Sequence, residues 1–242
     1  MTTIKAMPMS AFDGMQLDTS PAQRPQRVCL LGRTVSVVPL DPAAHAEALF
    51  AGSGGEQNEV LWRYLFEGPF TSRADFDSHL RHKATSDDYV FCAILDRPTG
   101  DAVGYAAYMR IEPAHRVIEV GSILFTPRLQ RTIGATEAMY MMARHAFEDL
   151  GYRRYEWKCN ALNAPSRNAA LRLGFTFEGI FRQHMMIKGR NRDTAWFSML
   201  DSEWPKRKTA FERWLDPSNF DASGQQKTSL SALNREVKNG VL

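Results

Sequence analysis

The sequence predicts an α/β fold, a mixed central β-sheet with helices on both faces. Three observations predict it. Short apolar runs rich in β-branched and aromatic residues, at 118–125 and 155–159, alternate with segments of helical period such as 136–150. Gly, Pro, Asn or Ser stands at most of the boundaries between them, as at Pro127, Gly151, Asn163 and Gly174. The chain is 242 residues long with 44% hydrophobic and 24% charged residues, an ordinary composition for one sizeable core with extensions.

Taken in order, residues 1–26 mix Met, Pro, Thr, Gln and Ser without periodicity and read as a mobile arm that lies over the body. A domain of residues 27–215 follows. Residues 28–31 and 34–39 read as short strands about Gly32-Arg33, and Asp41-Pro42 has the N-cap and first-position chemistry of a helix through Phe50. Residues 59–67 form a short amphipathic helix carrying Trp62, Tyr64 and Phe66, and Gly68-Pro69-Phe70 is a turn. Residues 72–83 are a helix capped by Thr71 or Ser72; residues 89–95 and 103–111 make a hairpin that feeds the central strand, 118–125. After a basic loop, Ala138, Met139, Met142, Ala146, Phe147 and Leu150 share one helical face. Strand 155–159, helix 163–173, strands 181–188 and 194–200 and helix 202–215 complete the domain, and residues 216–242 read as a polar tail.

A net charge of +3 and a pI near 8.8 suit an anionic ligand but lack the dense basic stripe of a nucleic-acid surface. Lys206, Arg207 and Lys208 read as the solvated face of the last helix, and no nucleic-acid partner is expected. Cys29, Cys92 and Cys159 lie in apolar contexts without C-x-x-C spacing, so buried free thiols in a reducing cytoplasm are expected. No apolar run reaches membrane-spanning length, no signal-peptide pattern opens the chain, and no cluster has metal-ligand spacing, so neither membrane nor metal is expected.

The chemistry suggested by this order lies in the loop 128–135. If it turns directly into a helix, free N–H groups and the positive end of the helix dipole converge beside Arg128 and Arg131, a point suited to phosphate. Here the sequence resembles the GCN5-related N-acetyltransferases (GNAT), within them the branch that acetylates N-termini of ribosomal proteins and related amines. The loop Gln130-Arg131-Thr132-Ile133-Gly134-Ala135, continuing Thr136-Glu137-Ala138, is similar to that family's Q/R-x-x-G-x-G/A pyrophosphate loop; Ile133 replaces its first glycine, and Gly134 is left to carry the tight turn. Asn163-Ala164-Pro165-Ser166 is similar to its N-x-x-S, and Gly174-Phe175 with Glu178-Gly179 to its G-F-x-x-E-G ending. The resemblance is most specific over residues 111–200.

The resemblance implies the GNAT acyl-CoA N-acyltransferase fold and acetyl-CoA as cosubstrate. It further implies that backbone groups about Ile123, Leu124 and Phe125 hold the pantetheine arm, that residues 130–136 hold the pyrophosphate, and that Asn163 bonds the CoA arm. Ser166 is implied to protonate the leaving thiolate, with a helix cap as its rival role. Glu119 is a candidate general base, or else a structural carboxylate paired with Arg110 or Arg116; Glu112, His115 and His184 are weaker candidates. Trp62, Tyr64, Phe66 and Phe70 either line the acceptor side of the cleft or pack a helix. Glu137 reads as a first-turn acid stabilised by the helix dipole. The partner expected is a primary amine on a small molecule or peptide, with a homodimer possible; acidic residues meeting at the cleft, Glu56, Glu59 and Glu67 among them, would point to a cationic one. A transferase for another acyl-CoA and a non-catalytic CoA-binding or interaction module remain open alternatives.

Overall fold

Eight strands associate into one sheet in the computed structural model, which describes residues 18–238. They are β1 (Leu30–Leu31), β2 (Val35–Pro39), β3 (Val90–Asp96), β4 (Ala102–Glu112), β5 (Val117–Phe125), β6 (Arg154–Asn160), β7 (Thr176–Ile187) and β8 (Arg190–Leu200). The spatial order is β1-β2-β3-β4-β5-β6-β8-β7, with β5 and β6 the parallel pair among antiparallel neighbours. Seven helices cover it: α1 (Pro42–Ser53), α2 (Glu59–Trp62), α3 (Arg73–Ala84), α4 (Ile133–Arg144), α5 (Ala164–Arg172), α6 (Trp204–Leu215) and α7 (Leu230–Lys238).

The period-two alternation of the strands sends apolar side chains to both faces. On one face Leu49, Trp62, Phe76 and Leu80 of α1–α3 pack on Phe91, Tyr105 and Leu124. On the other, Met139, Met142 and Phe211 of α4 and α6 pack on Val37, Ile118 and Tyr155. Asp41 caps α1 by accepting from Ala43 N at 2.9 Å, and Ser72 caps α3 through Asp75 N at 3.4 Å.

Several elements differ from expectation. The helix from Glu59 ends at Trp62, and α4 begins at Ile133 and passes into a π-turn over His145–Asp149. The last hairpin is longer at both ends, because main-chain pairing as far as Ile187↔Arg190 carries polar residues that show no apolar alternation. Cys29 is exposed, whereas Cys92 and Cys159 are buried. Of the expected arm, residues 1–17 lie outside the described residues; the rest is laid on the body, with Ala22 N donating to Pro113 O and Gln23 N to Leu150 O. The expected polar tail contains α7, whose Leu230 and Leu233 are buried at helical spacing. Arg207 is buried too, donating to Asn234 of α7, which removes it from the expected solvated face.

Candidate active site

The site begins where the parallel pair comes apart. β5 pairs with β6 only at Val117↔Arg154, Ile118↔Tyr155 and Glu119↔Glu156, although both strands run on. Ser122, with φ of 48°, is the extra residue of a bulge against β4 and turns the end of β5 away. Alternate N–H and C=O groups of Ile123, Leu124 and Phe125 therefore face a gap instead of a neighbouring strand. Lys83 fastens the bulge: its buried ammonium donates to Ser122 Oγ at 3.1 Å, pairs with Glu67 at 3.4 Å and lies 4.3 Å from the Phe91 ring centroid. Burial lowers the Lys83 pKa, against the pull of Glu67.

At the end of β5 the chain turns through residues 126–132 into α4. Thr126 N and Oγ1 both donate to Val103 O, and Gln130 Nε2 donates to Phe125 O at 2.9 Å. The tight turn is carried by Arg131 in the left-handed region, φ 62°, and not by Gly134. Gly134 lies inside α4, where a Cβ would come within 2.6 Å of Val35 Cγ1; its absent side chain lets the helix seat on β2. Ile133 packs partly buried against the core, so its bulk is taken up there. Thr132 caps α4 by accepting from Ala135 N at 3.2 Å, while Gln130, Arg131 and Thr132 remain exposed at the positive end of the helix. An open depression of about 460 Å³ lies beside this turn, lined by Thr34, Asp96, Arg128 and Thr132 among others. Arg128 is exposed and paired with Asp101 at 2.7 Å, whereas Thr136 is buried and accepts from Arg172 at 2.9 Å, which takes its hydroxyl from the open side of the loop.

Two polar groups stand on opposite faces of the gap. On the α5 face Asn163 Oδ1 caps the helix by accepting from Ser166 N at 3.1 Å. The capping role thus falls to Asn163, and the Ser166 hydroxyl accepts from Trp157 Nε1 at 3.0 Å and hydrogen-bonds the Cys159 thiol, a contact that lowers the thiol pKa against the larger effect of burial. On the other face Glu119 is 4% exposed and bound by Lys158 at 2.9 Å, with Arg110 at 3.7 Å. Lys158 bridges to Glu156 at 2.5 Å, and Arg154 joins Glu156 to Glu178. Burial raises the Glu119 pKa in spite of Lys158; in Glu156 the same burial is outweighed by hydrogen bonds from Lys158 and Arg154, and its pKa is lowered. Two carboxylates sharing one ammonium are thereby driven apart in proton affinity, with Glu119 the more basic.

A fold with a splayed parallel pair, a helix N-terminus at its open end and polar groups on both sides is matched at the level of sequence: the model of the acetyltransferase (GNAT) domain covers residues 35–176, more than half of the chain. The chain belongs to the GNAT acetyltransferase family. A GCN5-related N-acetyltransferase from Brucella melitensis is 50% identical, with a TM-score of 0.87 over 89% of this chain and 98% of that one. A probable acetyltransferase of the GNAT family from Chromobacterium violaceum is 37% identical, with a TM-score of 0.72 over 84% and 98% of the two chains. Among curated relatives, the ribosomal-protein-serine acetyltransferase of Escherichia coli is 27% identical over 104 residues, 43% of this chain and 58% of that protein. The chain matches about three fifths of the length of such relatives.

In this GNAT domain the expected aromatic residues divide. Trp62 is fully buried, its Nε1 donating to Ser53 O at 2.7 Å, and Phe70 packs edge-on against it at 5.0 Å, so both serve the second core. Tyr64 reaches the turn after β6, its hydroxyl donating to Leu162 O at 3.2 Å, and Phe66 is 42% exposed. Glu59 and Glu67 do not form an acidic cluster: Glu67 is taken by Lys83, and Glu59 is exposed. His184 bonds Thr194 Oγ1 at 3.0 Å, and the pKa of His79, a half-buried residue, falls to about 3 through desolvation and then Lys83. Trp157, Lys158, Glu156 and Lys83 escaped the sequence reading. The first three have their only signal in the alternation Arg154, Glu156, Lys158 against Tyr155, Trp157, Cys159, which puts charges on one face and Trp157 on the other.

Proposed function

We propose that this chain is an acetyl-CoA-dependent N-acetyltransferase acting on a primary amine by direct attack in a ternary complex. The observation that carries this reading is the gap between β5 and β6, with unpaired main chain along its edge, the α4 N-terminus at its end, Ser166 on one face and Glu119 on the other. The N–H and C=O groups about Ile123, Leu124 and Phe125 that find no partner on β6 suit the amide-bearing pantetheine arm and the thioester carbonyl, the Phe125 carbonyl alone being already taken by Gln130 Nε2. Arg131, Gln130 and the first turn of α4 suit the pyrophosphate.

Glu119 accepts the proton of the incoming ammonium. The amine nitrogen then forms a C–N bond to the acetyl carbon, the C–S bond breaks, and the Ser166 hydroxyl, held by Trp157, supplies a proton to the departing thiolate and is made whole by the proton that the acylated nitrogen gives up. The buried Cys159 thiol, its pKa raised by burial, takes no nucleophilic part. The name of the Escherichia coli relative makes a serine residue of a ribosomal protein one acceptor class to test.

Calorimetric titration with acetyl-CoA and CoA tests the reading. Micromolar binding that weakens at least tenfold in Arg131→Glu is expected from placing a carboxylate against pyrophosphate. No binding to either thioester or thiol would overturn it.

A further inference from the structure

On the face that bears Glu119, each carboxylate of the buried network already has its cation. Lys158 serves Glu119 and Glu156, Arg154 serves Glu156 and Glu178, and Lys83 serves Glu67. Lys188 spends its ammonium on the carbonyls of Trp62 and Glu67, at 2.9 and 2.8 Å. Arg192 is left over. It is 7% exposed, and its Nε bond to Thr194 Oγ1 at 3.2 Å is the one hydrogen bond it makes among the described residues. Its guanidinium lies 5.3 Å from the ring centroid of Phe66, and it forms no ion pair among those residues.

Its position gives that unmatched charge a meaning. Thr194 pairs with Asn160 at the last register position of β6, and Arg192 stands two residues further along β8, past the end of β6 and towards the open side of the gap. Strand alternation puts it on the same face as Trp196 and Ser198, and Ser198 lies in line with Glu156 and Glu119 across the sheet. The hairpin holding it is clamped to the α2 region by Lys188, so the side chain is fixed over Phe66. A buried cation without a counter-ion is costly, and a planar guanidinium with free N–H groups is shaped for two oxygens of a carboxylate or phosphate.

We propose that Arg192 is a specificity residue for the acceptor, and that the amine acetylated here carries a carboxylate or phosphate which completes the Arg192 ion pair while its amino group is presented towards Glu119. The proposal rests on the acetyl-transfer reading above. A cationic acceptor would have been indicated by acidic residues meeting at the cleft, but the buried carboxylates of this face are already paired with cations.

The test is turnover of matched amines by the full chain with saturating acetyl-CoA: β-alanine against β-alaninamide for a carboxylate, and O-phosphoethanolamine against ethanolamine for a phosphate. At least one anionic member should exceed its neutral counterpart about tenfold or more in kcat/KM, and the pair that does so names the anion. Arg192→Gln should erase the preference through KM with kcat kept, and Arg192→Lys should restore part of it. Equal or better use of the neutral amines by the wild-type chain overturns the proposal without recourse to any variant. So does an equal loss on all four amines in a folded Arg192→Gln, and so does acetyl-CoA binding with no turnover of any of them. Failure of acetyl-CoA to bind at all would instead sink the acetyl-transfer reading. Arg192 is then judged by calorimetry with O-phosphoethanolamine, where absent binding, or equal binding by wild type and Arg192→Gln, counts against it.

Discussion

Glu119 and Glu156 are neighbours in register on adjacent strands, yet one is made more basic and the other more acidic by the way they share Lys158. A general base works in its deprotonated form, so activity should fall as pH drops through the Glu119 pKa, which lies above the ordinary value of 4.5. In Glu119→Gln the acid limb of the kcat/KM profile should disappear and kcat should drop by roughly 10²–10⁴-fold, with acetyl-CoA affinity kept. A variant with an unchanged profile would return Glu119 to a structural role. For Ser166→Ala, a loss confined to kcat is expected, because Asn163 Oδ1 still caps α5 through the backbone N–H at position 166. Asn163 was legible as a cap from its place before Pro165, while the contact of the Ser166 hydroxyl with Trp157 was not, since the indole that holds it comes from another element.

At the scale of elements, α4 is tied to the first hairpin by Glu137, whose carboxylate accepts from the N–H groups of Arg33, Thr34 and Val35 at 2.7, 2.7 and 3.1 Å and from Thr34 Oγ1 at 2.5 Å. The expected role as a helix-dipole acid is therefore replaced by a hydrogen-bonded clasp from helix to hairpin. Burial pushes this carboxyl up, but the Thr34 hydroxyl and the three N–H donors outweigh it and hold the pKa below 4.5. The stability it contributes is present above that ordinary carboxylate value and is lost as pH falls through the lowered one. Glu137→Gln should cost about 1–3 kcal/mol near pH 7 in urea unfolding, and the gap from wild type should close towards pH 3. Spacing puts Glu137 in the first turns of a helix; only the approach of β2 tells which donors it meets.

For the whole molecule, the C-terminal segment is part of the domain. α7 packs on α6 and α5, Leu230 and Leu233 are buried, and Asn234 takes Arg207 while donating to Arg172 O at 3.0 Å. Arg172 in turn holds Thr136 of α4, so this contact reaches the helix that begins at the candidate pyrophosphate loop. Leu233→Ala should lower stability by about 2–4 kcal/mol in urea unfolding, the cost of a buried leucine truncated in place. A change under 0.5 kcal/mol would show the segment to be only loosely attached. No helix among the described residues is long and apolar enough to cross a membrane.

What the sequence by itself determined was local: the strand runs, the caps at Asp41 and Asn163, the loop 130–136 and the order of these pieces, because period, capping chemistry and motif spacing are properties of neighbouring residues. Only the tertiary structure decided which of those residues face a ligand. It put Gly134 against Val35, Thr136 against Arg172 and Trp62 in a core, and it matched the buried carboxylates Glu119 and Glu156 with Lys158 while leaving Arg192 with no ion pair among the described residues. Those outcomes depend on pairings between distant parts of the chain, as from Lys188 to Trp62 across 126 residues, and no local pattern encodes the partner.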